Sequence, residues 1–111
     1  MSKVYAPQIP GKRDAATRLW VPSINIDPAR QYGEVVVMLP PNANRLHIAP
    51  LVAALKEQME NYTANDYLVA VGDPSLIAAA ACIATKRTGG LLRILKWDRL
   101  ASAYLPVEVE L

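Results

Sequence analysis

Tyr67-Leu68-Val69-Ala70-Val71-Gly72-Asp73-Pro74-Ser75 decides the fold. Five apolar residues suited to a buried strand run into a glycine, then into an aspartate placed to cap a helix, then into a proline at the first helical position. A strand therefore stops and a helix starts within four residues, which is how a β-α-β unit begins. The following helix is expected over residues 74–88. Its centre, Leu76-Ile77-Ala78-Ala79-Ala80-Ala81-Cys82-Ile83-Ala84, is small and apolar throughout. It is expected to be the most buried helix, with Cys82 a buried small hydrophobe. Lys86 and Arg87 favour its C-terminal dipole and Gly89-Gly90 stop it.

Upstream, Val35-Val36-Val37-Met38-Leu39 reads as a strand buried on both faces. Pro40-Pro41 ends it, Asn42-Ala43-Asn44-Arg45 forms the connection, and a helix is expected from about Ala49 through Tyr62. Its apolar positions Leu51, Val52, Leu55, Met59 and Tyr62 recur at helical spacing. Downstream, residues 91–97 and 104–111 read as a hairpin with Trp97 opposite Tyr104. That register sets Arg93 opposite Glu108 and gathers Leu92, Ile94, Leu105, Val107 and Val109 on one face. A slip of one residue would send them to water.

The order is β-α-β-α-β-β. It predicts an α/β domain over residues 34–111, with three parallel strands, right-handed crossovers and an antiparallel C-terminal edge strand. Residues 1–33 read as an extended Pro-rich N-terminal arm, with Pro7, Pro10, Pro22 and Pro28 each removing a backbone donor. Within the arm, residues 3–8 suit a short edge strand. Leu19-Trp20-Val21 is its strong apolar anchor, and Asp27-Pro28 opens one helical turn that Gly33 closes. The arm is expected to cover an exposed face or add a strand.

Hydrophobic residues make up 52% of the 111 and charged residues 20%, enough apolar material for one ordered core. Residues 1–12 lack the apolar centre of a secretory signal, and no apolar stretch reaches the ~20 residues of a membrane span. The single cysteine precludes an intrachain disulfide and fits a reducing compartment, so a cytoplasmic location is expected. The net charge of +2 does not by itself argue for nucleic acid.

Ligands of open α/β sheets bind beyond the C-terminal strand ends. Gly72, Asp73 and Ser75 are the candidate anion or ligand site there, although the Asp73 carboxylate satisfies the same donors an anion would need. Lys86, Arg87, Arg93, Lys96, Trp97 and Arg99 form a candidate nucleic-acid surface of cations and a stacking ring. Tyr5 and Trp20 are the candidate arm interface. No dinucleotide or phosphate-loop fingerprint occurs, and His47 is the sole histidine and is read as a surface residue. Asp73 and Asp98 have turn or cap explanations. No catalytic residue, metal ligand or cofactor is expected, and a non-enzymatic protein-binding or regulatory role leads. The partner is expected to be another protein, or a second copy in a homo-oligomer; no membrane partner is expected.

Lys3-Val4-Tyr5-Ala6-Pro7-Gln8, the Asp27-Pro28-Ala29 turn before Tyr32-Gly33-Glu34, Val71-Gly72-Asp73-Pro74 and Lys96-Trp97-Asp98-Arg99 resemble a group of small uncharacterised proteins encoded by tailed bacteriophages. The resemblance covers nearly the whole chain. It implies expression in a bacterial cytoplasm and no activity, cofactor or site residue.

Overall fold

The computed structural model describes residues 2–44 and 46–111. Met1, and Arg45 of the expected connection, lie outside the described residues. The strands are β1 (Lys3–Ala6), β2 (Gly11–Arg13), β3 (Trp20–Pro22), β4 (Glu34–Val37), β5 (Tyr67–Val69), β6 (Leu91–Asp98) and β7 (Ala103–Glu110). The helices are α1 (Ile48–Gln58) and α2 (Pro74–Thr88), with a 3-10 helix at Asp27–Tyr32. One five-stranded sheet runs in the order β4-β1-β5-β6-β7, and β2 and β3 form a separate ribbon.

The expected mixed sheet with an antiparallel C-terminal edge is present, and it is one strand wider than the sequence indicated. Four strands are parallel, because β1 lies between β4 and β5. The segment expected as an edge strand of the arm is thus interior, and the two valine-rich strands share a sheet without touching. Val4, Tyr5 and Ala6 are buried on both faces, as an interior parallel strand requires. The first proline falls after the last β1 residue, so its missing N–H leaves the β1 ladder intact. Beyond the strand, the Met38 and Leu39 amides still donate to the Ala6 and Pro7 carbonyls.

Asp66 fixes the start of β1. This buried carboxylate accepts the Lys3 amide at 2.8 Å on Oδ1, and the Thr63 amide at 2.8 Å and hydroxyl at 3.1 Å on Oδ2. The polar turn expected at residues 63–66 is therefore also the clamp that sets β1 beside β5. Tyr62 donates to the Asp66 carbonyl, and its ring lies 5.3 Å from that of Tyr5. Burial, followed by the Asp66 charge, pushes the Tyr62 phenol up to about 12.

Alternation along the strands gives each sheet face its own core. On one face Tyr5, Leu68 and Leu92 meet Leu55 and Met59 from the α1 side and Leu76, Ala80 and Ala84 of α2. On the other, Val4, Ala6, Val69, Leu95 and Tyr104 are covered by Ala29, Ile24 and Ile26. Residues of the expected arm thus add a strand and also cover the second face.

Three local expectations need correction. The 35–39 strand, expected to be buried on both faces, is the edge strand β4, paired only with β1, and its Val37 is 46% exposed. The α2 helix is the more buried of the two α-helices, as expected, although only one stripe, Leu76, Ala80 and Ala84, is covered, because it forms an outer layer rather than a central rod. Cys82 lies off that stripe and is exposed for the same reason. The α1 helix ends at Gln58, where the backbone tightens through the Glu60 amide onto the Glu57 carbonyl.

The hairpin register matches the expected one, with Trp97 against Tyr104 and Arg93 against Glu108. Its edge is guarded. The Leu111 amide donates to the Gly90 carbonyl, so alternation turns the backbone amides of even-numbered β7 positions away from β6, and Pro106 removes one of these outward donors.

Replacing Asp66 with alanine strands two backbone donors, the Lys3 amide at the start of β1 and the Thr63 amide in the turn before β5. Urea unfolding should show a loss of about 2–4 kcal/mol. A loss no larger than that of an exposed substitution would contradict the clamp.

Candidate functional site

The chain leaves the C-terminal ends of β1 and β5 in opposite directions. After β1 it crosses the face covered by Ile24, Ile26 and Ala29 on its way to β4; after β5 it enters α2 on the other face. Neighbouring parallel strands whose connections part in this way open a crevice at their carboxyl ends, where ligands of α/β sheets sit.

A cleft of about 430 Å³ lies there, lined by Pro10, Ser23, Ile24, Asn25, Ala70, Val71, Gly72, Trp97 and Tyr104. No charged side chain contributes to its wall. Trp97 meets Tyr104 edge-on with centroids 5.0 Å apart; Trp97 remains 43% exposed while Tyr104 is buried. Burial raises the Tyr104 phenol above its ordinary value, which keeps that ring neutral. The Tyr32 hydroxyl donates to the Tyr104 carbonyl at 2.9 Å and ties the outer strand to the 3-10 helix.

The floor of the cleft is built by close approach. Gly72 has φ +102, and a Cβ on it would stand 2.8 Å from the Gln8 carbonyl oxygen. Gln8 is itself buried and donates from Nε2 to the Pro40 carbonyl at 2.9 Å and the Pro41 carbonyl at 3.4 Å. One residue thereby joins the ends of β1, β4 and β5.

Of the anion-site candidates, only Gly72 lines this cleft. Asp73 caps α2, accepting the Ser75 amide at 2.9 Å, and Ser75 is exposed on the first helical turn. Asp98 likewise accepts the Ala101 amide in the hairpin turn. His47 precedes α1 and makes no capping bond through its side chain.

The six residues of the candidate nucleic-acid surface do not converge. Lys86 and Arg87 sit at the end of α2, and Arg99 at the opposite end of the sheet in the hairpin turn. Period-two alternation puts Lys96 on the helical face and Arg93 and Trp97 on the other. Arg93 is already engaged, with its guanidinium 4.2 Å over the Tyr67 ring, a bond to the Tyr67 hydroxyl and an ion pair with Glu108 at 3.6 Å.

The arm-interface pair also separates. Tyr5 is 2% exposed and belongs to the core rather than to the surface. Trp20 is half-buried against Gly11 and lines a second apolar recess with Ile9, Pro22 and Val37. Ser23, Ile24 and Asn25, which with Pro10 are the arm's share of the main cleft, carried no local signal in the sequence, since only the fold-back brings them to Trp97.

The family model for Phage Pam3 gp32-like protein matches residues 2–111. The chain belongs to this family. It is therefore a phage protein, as the resemblance in its sequence implied. No curated protein and no solved structure matches it. Among the described residues no helix is long and apolar enough to cross a membrane.

Gly72→Ala should destabilise the protein by about 2–4 kcal/mol, since a left-handed backbone and a clash with Gln8 add. Gly89→Ala, at φ +76 with nothing within 4 Å, should lose only about 1 kcal/mol. Thermal unfolding of the two variants compares them directly; equal losses would remove the Gln8 contact from the account.

Proposed function

We propose that this phage protein is a non-enzymatic binding protein that works in the host cytoplasm, seating an uncharged apolar group of a polypeptide partner in the switch-point cleft. The observation that carries the reading is a cleft without charged walls in which a half-exposed indole is held edge-on by a buried tyrosine. An aromatic ring fixed in this way has already lost most of its side-chain freedom, so covering it costs little entropy and gains its apolar area. Such anchors carry most of the energy of protein interfaces.

A polypeptide suits the site better than a free small molecule because a further exposed apolar side chain stands at the same end of the sheet, outside the cleft. Leu100, in the hairpin turn at the same end of the sheet, is 98% exposed. A ligand that filled only the cleft would leave that leucine in water. The partner is another phage or host protein, and the distribution of cations over both sheet faces and both ends gives a nucleic acid no continuous track.

Panning a random peptide display library against the protein tests this. Neutral peptides with a central apolar or aromatic residue should be enriched and should shift Trp97 emission to shorter wavelength in a Trp20→Phe background. Ser23→Trp, which fills the cleft, should weaken them at least about tenfold. Peptides that bind Ser23→Trp equally well, or enrichment of charged sequences only, would overturn the proposal.

A further inference from the structure

The last turns of α1 and α2 lie at the end of the sheet opposite the cleft. Both helices cross between parallel strands and so run against them, and both carry basic residues in their last turns. Lys56 from α1 and Lys86 and Arg87 from α2 line one concavity of about 560 Å³, with Ile83 as its apolar wall. Lys56, in mid-helix in sequence terms, is joined to the other two only by the packing of α1 on α2.

Helix termini account for part of this charge. Each C-terminus presents roughly half a negative charge, so the two together offset about one of three cations. Among the described residues none of the three forms an ion pair, and neither Met1 nor Arg45 carries a side-chain acid. The nearest acids in sequence, Glu57 and Glu60, are exposed and unpaired with them. Asp66 is occupied by three hydrogen bonds on the β1 side. Burial, and after it the Asp66 charge, raise the Tyr5 phenol, and the Arg87 charge opposes them. Three like charges gathered in one hollow repel each other, and the geometry favours any ligand that neutralises them.

We infer that this concavity binds the phosphate groups of a small phosphorylated molecule. Phosphate matches the donors available, since an arginine fork takes two oxygens and the lysines act as point charges around it. A discrete molecule fits better than a polynucleotide because the charge ends with the hollow. Arg93 is turned to the other sheet face and held by Tyr67 and Glu108, and Arg99 lies at the far end. The site is separate from the switch-point cleft, so either can fail without the other.

Calorimetric titration with tripolyphosphate, with a nucleoside triphosphate and with a single-stranded oligonucleotide tests the assignment. The two small ligands should bind saturably, more weakly as salt rises, and should lose at least about tenfold in affinity in the Lys56→Gln/Lys86→Gln double variant. Lys96→Gln, at the other end of the helical face, should bind them like the parent. All three positions are exposed, and unchanged thermal midpoints without ligand confirm folding. No saturable binding, equal binding by the double variant, or tight binding of the oligonucleotide alone would overturn the inference.

Discussion

A parallel strand with neighbours on both sides must place every backbone donor and acceptor inside the sheet, and β1 meets that demand within four residues. Its registers with β4 and β5 leave the Lys3 amide as the first group needing a partner, and the Asp66 carboxylate supplies one. At its other end Gln8 satisfies two proline carbonyls through its side chain while Gly72 lies against its backbone. The rest of the molecule hangs on this short strand. Without it β4 and β5 have no common neighbour, both faces of the core lose their central residues, and the segment over the second face has nothing to cover.

The same strand gives the protein its two chemically different ends. Because the chain leaves β1 over one face and β5 over the other, the C-terminal end of the sheet opens into an uncharged cleft walled by Trp97 and Tyr104. Because both α-helices return on one face, their C-terminal turns meet at the N-terminal end and gather Lys56, Lys86 and Arg87. An apolar anchor and a cationic hollow are thus separated by the length of the sheet, a consequence of strand order rather than of any local motif.

What could be read in the sequence was what is decided locally. The strand-cap-helix passage around Gly72-Asp73-Pro74, the ends of α2 and the hairpin register all follow from neighbouring residues, and all appear in the structure. The position of β1 could not be read in that way. Val4-Tyr5-Ala6 is too short a run to distinguish an interior strand from an edge, and its prolines suggested an arm. The role of Asp66 was hidden for the same reason, since its partner Lys3 is 63 residues away. The apolar character of α2 was plain, yet only the layer order reveals that one stripe is covered and Cys82 is not. In the cleft, Gly72 and Trp97 were singled out but assigned to different sites, while Ser23, Ile24 and Asn25 arrive by fold-back. Lys56 carries no local signal in the sequence, and its convergence with Lys86 and Arg87 is a product of helix packing.

The most direct test of this account is amide hydrogen exchange at β1 in the native protein. The Val4, Tyr5 and Ala6 amides should be among the most protected in the chain, opening only with global unfolding and as slowly as those of Leu68 and Leu95. Exchange at the rate of the exposed turn between β2 and β3 would show that the N-terminal segment is peripheral and would contradict the fold described.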